Sequence, residues 1–142
     1  MSTLTPPQWG DAELSVLDYL SRRMTPWSGS TDFPEATPAT PHLVVRRYGG
    51  NYRPPAIDYA RCSIETWCAS RFDGQAALQE ALGHLLVGGH NDTTPRTSAG
   101  GVRLPRITKC FVESGPQFFP DRVSDCPRWI STVAVYLRSL DG

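Results

Sequence analysis

A thiol made nucleophilic by a neighbouring imidazole is the most reactive pairing these 142 residues could assemble, from Cys62, Cys68, Cys110 and Cys126 with His42, His84 and His90. Cys62, Cys68 and Cys110 fall inside strand-like runs rather than at an exposed strand-to-helix turn, where a thiol pKa can be lowered and a substrate reached. Cys126, in a proline-flanked loop, is the one thiol placed for reactivity; its alternative role is that of a small packing residue. There is no CxxC, and no histidine stands at ligand spacing from a cysteine, so no zinc centre is expected. Asp121 and Asp125 could pair for acid–base or metal work, or simply form a solvated acidic turn. The glycine-bracketed stretch GGHNDTTPRTSAGG (88–101) matches neither GxxxxGK[ST] nor GxGxxG, which removes the phosphate-cradle reading. No catalytic constellation and no cofactor are expected.

Arginine and aromatic side chains offer a different chemistry. These types are enriched in protein interfaces, and they cluster where elements should end: Arg46, Arg47 and Tyr48; Tyr52 and Arg53; Phe118, Phe119 and Arg122; Arg128 and Trp129. They either contact a partner or cap the core.

Composition narrows the partner classes. Fourteen basic residues balance fourteen acidic ones, and the balance is even along the chain, so there is no basic segment for gripping nucleic acid by its phosphates. Lys109 is the only lysine. No run approaches the roughly 20 apolar residues of a membrane span, and the opening MSTLTPPQWGDAEL has neither the basic nor the apolar region of a signal peptide, so a cytoplasmic start is expected. In that compartment four free thiols are expected. Cys62 and Cys68 on one straight strand would stand about 20 Å apart, well beyond disulfide reach. A chain of this length buries roughly 68% of its unfolded surface, enough for one core without cross-links.

The elements that must position these side chains follow from periodicity. Asp11 can cap a helix with Leu14, Leu17, Leu20 and Met24 on one stripe and Val16 beside it, Glu13 near its start and Arg22 and Arg23 near its end. Residues 25–41 carry Pro26, Pro34, Pro38 and Pro41 and predict a long irregular loop. HLVVRRY (42–48), closed by Gly49-Gly50, and DYARCSIETWCA (58–69) read as strands of a hairpin. In the second, Ala60, Cys62, Ile64, Thr66 and Cys68 should face the core, with Tyr59, Arg61, Ser63, Glu65 and Trp67 facing away. Ser70 or Asp73 can cap a second helix reaching Val87, with Leu78, Ala81, Leu82, Leu85 and Leu86 as its buried stripe. A second loop at 88–101 precedes RITKCFVES (106–114) and WISTVAVYLRSL (129–140), both strand-like. The expectation is a single α+β domain over 1–142, ordered α-β-β-α-β-β: a mainly antiparallel sheet of about four strands with helices on one face.

Three stretches carry a family resemblance: PHLVVRRYGG, then DYARCSIETWCASRFDGQAALQEALGHLL, then GGVRLPRITKCFVESGPQFFPDRVSDCPRWISTVAVYLR. In order and spacing, over roughly residues 10 to 140, the chain resembles the tail terminator, or tail-completion, proteins of long-tailed bacteriophages, in the style of actinobacterial phages. The resemblance implies a non-catalytic virion protein at the tail–neck junction. Its subunits would form a homohexameric ring on the finished tail tube, stop polymerisation and offer a face to the head connector. Partners would be other copies of the chain, the tail-tube protein and a head-closure protein, with DNA passing through the ring without sequence-specific contact; a neutral wall suits that passage. Arg46, Arg47, Tyr48, Arg53, Phe119, Arg122, Arg128 and Trp129 are the candidate interface residues. The proline-rich 25–41 segment and the cysteines do not map onto the family. Another neck or tail component, or a small cytosolic hydrolase using Cys126, are the alternatives.

Overall fold

In the computed structural model, residues 6–24, 28–88, 96–98 and 100–140 are described. Helix α1 (Ala12–Ser21) starts where Asp11 accepts a hydrogen bond from the Leu14 amide at 2.9 Å, satisfying one of the helix's free first-turn donors. Arg23 donates back to the Tyr19 carbonyl at its other end. The first strand, β1 (Ser28–Ser30), lies inside the proline-rich stretch expected to be wholly irregular. It pairs in parallel with β2 (His42–Arg53), Ser28 opposite His42.

Strand β2 turns back into β3 (Ile57–Trp67) as the expected antiparallel hairpin. The glycine pair does not close β2; it carries the strand on to Arg53 past an irregularity between Arg47 and Gly49. Gly50 has φ +103°, and a Cβ there would lie 2.0 Å from the Tyr59 carbonyl oxygen, so the ladder continues only because this residue has no side chain. After β3, Ser70 Oγ accepts from the Asp73 amide and starts α2 (Arg71–Gly88). Strand β4 (Arg96–Thr97) falls within the expected 88–101 loop and pairs with β5 (Arg103–Leu104) just beyond it; most of the rest of that loop lies outside the described residues. Strands β6 (Ile107–Phe118) and β7 (Arg128–Arg138) complete a five-stranded mixed sheet in the order β1-β2-β3-β7-β6, antiparallel except at β1. The molecule is α+β, with one more strand in its main sheet than expected and a parallel edge.

Both helices pack on one sheet face. The core there joins Val16, Tyr19 and Leu20 of α1 and Leu78, Ala81, Leu82 and Leu85 of α2 to Leu43, Val45, Ala60, Cys62, Ile64, Ile107, Val133, Val135 and Leu137 of the strands. The Tyr19 hydroxyl donates to the His84 carbonyl and ties the helices together. Leu86, expected in the buried stripe, is 46% exposed, because Leu78, Ala81, Leu82 and Leu85 already fill the narrow line of contact. Leu14 is only half-buried and Leu17 packs at the margin; Ala12, Val16, Tyr19 and Leu20 form the buried stripe of α1. Among the described residues no helix is long and apolar enough to cross a membrane.

Candidate functional site

The sheet face opposite the helices is covered at one end and open at the other. A parallel β1–β2 pair requires a crossover, and residues 31–41 make it over this face, with Phe33 against Trp67 (ring centroids 5.4 Å) and Arg46 over Phe33 (4.6 Å). Trp67, expected to point away from the core, is therefore buried in a second small cluster with Val44 and Cys126. Glu65 is buried beside it, 5% exposed, and accepts from Trp67 Nε1 (3.2 Å) and Arg128 (3.4 Å). Burial pushes its carboxyl above the ordinary 4.5, with Arg128 opposing the shift.

Beyond this cover, β3, β7 and β6 present their outward residues directly. Tyr59 and Tyr136 face each other across the strands with centroids 5.0 Å apart, and Phe111 meets Tyr136 edge-on at 6.0 Å. Arg53 lies over both tyrosines, 4.9 and 5.6 Å from their centroids. Arg61 stacks on Tyr48 at 5.3 Å and reaches across β7 to Glu113 at 2.9 Å, above the small Ala134. The guanidinium groups here serve as lids on aromatic rings, which holds large side chains in fixed positions on an uncovered sheet.

At the far end this face opens into a cavity of about 710 Å³ beneath the β2–β3 turn. Its lining includes Arg53, Pro54, Pro55, Lys109, Phe111, Tyr136 and Arg138, and no carboxylate. Phe111 is 52% exposed. Three cations around rings and prolines give this cavity a positive, partly apolar lining, the chemistry that suits an anionic group attached to something apolar.

The eight sequence candidates do not converge on one patch. Arg53 stands at the cavity and Tyr48 on the open face. Arg46, Phe119, Arg122 and Arg128 lie toward the opposite end, where Arg128 Nε donates to the Phe119 carbonyl at 2.9 Å. Two candidates sit elsewhere. Arg47 turns to the helix face and forms a two-pronged ion pair with the buried Asp58, both bonds 2.8 Å, while its amide donates to Glu13. Trp129 is buried in the main core, donates to the Arg71 carbonyl at 3.0 Å and packs on Phe118. Sequence reasoning missed Lys109, Phe111, Tyr136 and Arg138 at the cavity. The alternation that assigned Tyr59 and Arg61 to the outer face of β3 would have found them if carried on to β6 and β7.

All four cysteines are buried as free thiols. Desolvation pushes Cys62 and Cys110 up to about 12 and raises Cys126, the direction opposite to an activated nucleophile. A serine–histidine contact that the sequence did not suggest lies at the sheet edge: His42 Nδ1 meets Ser28 Oγ at 2.6 Å and Nε2 meets Ser30 Oγ at 2.8 Å. Burial lowers the His42 pKa, and both ring nitrogens are occupied by neutral hydroxyls, so the ring fastens β1 to β2 where a triad would have a carboxylate to orient it. Among the described residues no group of three or more His, Cys, Asp or Glu could hold a metal ion.

Compared with known proteins, the chain matches no protein-family model and no curated sequence.

Proposed function

We propose that this chain is the ring-forming tail terminator of a long-tailed bacteriophage: it caps the completed tail tube, stops polymerisation and provides the face to which the head connector attaches. The reading rests on the sequence resemblance, and one structural observation carries it further. The sheet is two-faced, with helices filling one side and an uncovered ladder of arginines and aromatic rings on the other. A monomer that needed only to fold would gain by covering that face; a subunit that docks keeps it accessible and rigid.

A growing tube exposes at its tip the same surface that accepted each earlier ring, so growth ends when a subunit binds that surface and presents no copy of it. The open face and its two chemically different ends suit a subunit that contacts unlike neighbours. The neutral charge suits a ring through which DNA slides, since a strongly basic wall would hold the phosphates.

The test is a phage lacking this gene. Filled heads and separate tails, many of abnormal length, are expected, with joining restored by adding the purified protein to tails of correct length. Ordinary virions with normal tails overturn the proposal. Normal-length tails that merely fail to join move the protein to head closure.

A further inference from the structure

The cavity and the β6–β7 loop lie at opposite ends of the same sheet, and their chemistries match. The cavity end sets Arg53, Lys109 and Arg138 around Phe111 and Tyr136. Among the described residues none of these three cations pairs with a carboxylate; the side-chain bond of Arg53 goes to Asn51 Oδ1. At the other end the loop following β6 carries Asp121 and Asp125 with one guanidinium of its own, Arg122; Arg128 at its base also reaches Asp121 with its charge but is paired with Glu65, and the loop's tip is Val123, 96% exposed. An isolated apolar side chain so fully in water, flanked by two acids, has the character of a knob.

The loop is also tied together by its own hydrogen bonds. Asp121 Oδ2 accepts from the Ser124 amide (2.9 Å) and hydroxyl (2.7 Å), the Asp121 amide donates to the Cys126 carbonyl (3.0 Å), and the Asp125 amide donates to the Asp121 carbonyl (2.9 Å). Cys126 anchors its base in the small cluster with Trp67 and Val44. A preformed turn loses little conformational entropy on docking.

We propose that the β6–β7 loop of one copy docks into the cationic cavity of the next, with Val123 against Phe111 and Tyr136 and Asp125 beside Lys109. Such a contact is heterologous: every chain has one knob and one socket, and repetition closes into a ring where the rotation allows. The inference deepens the terminator reading and rests on it for closure, but the contact itself can be tested without a phage.

Lys109 provides a specific probe, because it is the only lysine. A zero-length carbodiimide activates a carboxylate, which the lysine amine attacks to form an amide with loss of the urea. From Lys109 to the loop end of β6 is about 30 Å at 3.3 Å per residue, so a Lys109–Asp125 amide must join two chains. Cross-linking of the concentrated protein should give a ladder of oligomers whose peptide maps contain Lys109 joined to Asp125 or Asp121. Val123→Asp should reduce the yield at least tenfold, and Lys109→Arg should abolish the amide while keeping the association seen by sedimentation. Mixing Lys109→Glu chains with Val123→Asp chains should stop at a dimer, since each species keeps one working end. Both positions are exposed, and matching unfolding midpoints establish that the variants fold.

A concentrated protein that gives no such amide, or amides from Lys109 only to carboxylates outside the loop, overturns the proposal. If the amide forms but the gene proves dispensable for tails, the contact stands and the terminator reading falls. If tails require the protein but the amide is absent, the reverse holds.

Discussion

The two faces of the central sheet are built from alternate residues of the same strands, yet they are held by different physics. On the helix face, Ala60, Cys62, Ile64, Val133, Val135 and Leu137 are buried among leucines of α2, where water is excluded and shape decides the energy. On the open face, Tyr59, Arg61, Tyr136 and Phe111 are held by ring contacts and one ion pair in reach of solvent. The first arrangement is costly to alter and sets the fold. The second is in reach of water, where ion pairs are screened and each contact is expected to contribute less to stability.

The sharpest way to break this contrast is at the Arg47–Asp58 ion pair on the helix face. Asp58→Ala should destabilise the protein by about 3–5 kcal/mol, because it leaves the Arg47 guanidinium without the carboxylate that both of its prongs meet. A loss under about 1 kcal/mol in a denaturant titration would place that pair with the surface pairs instead. Leu85→Ala, at the centre of the core, should cost about 2–5 kcal/mol as a buried truncation. An unchanged midpoint there would mean that α2 does not seal the sheet.

A smaller effect is expected under the 31–41 crossover, which sits between the two regimes. Glu65 has its folded pKa raised above 4.5, so between the unfolded and folded values the native state holds a proton that the unfolded state has released. Stability from this group therefore falls as pH rises through that window, and the penalty is fully present above it. Glu65→Gln keeps an acceptor for Trp67 and removes the charge, so the difference in stability between variant and wild type should grow in the variant's favour from pH 4 to pH 7. A difference that is flat, or grows the other way, would mean that the bond to Arg128 outweighs desolvation.

The smallest effect belongs to the open face. Glu113→Gln removes the partner of Arg61 and should leave the unfolding midpoint almost unchanged, since the pair lies in reach of solvent. A thermal or denaturant measurement showing a clear shift would make this face a structural one.

Local signals carried much of this architecture. Asp11 and Ser70 cap helices because their side chains reach amides three residues on, a geometry independent of the remaining fold. The alternation in β3 correctly divides Ala60, Cys62 and Ile64 from Tyr59 and Arg61. Other features had no local signature. Ser28–Ser30 is a strand because β2 offers it an unpaired edge, against the irregular conformation its surroundings suggest. Of the candidate interface, Arg53 and Tyr48 proved outward, whereas Arg47 and Trp129 are turned inward by partners 11 and 58 residues away.

The sequence by itself determined where the two helices begin, which face of β3 is apolar, the hairpin of β2 and β3, and the even charge. These depend on side chains within a few residues of one another and on the two short periods of helix and strand. Only the tertiary structure decided that the proline-rich crossover buries Trp67 and Glu65, that three cations separated by up to 85 positions line one cavity, and that this cavity lies at the opposite end of the sheet from the Val123 loop. Those relations are set by strand order and register, which arise from pairing between distant segments and leave no trace in any local window.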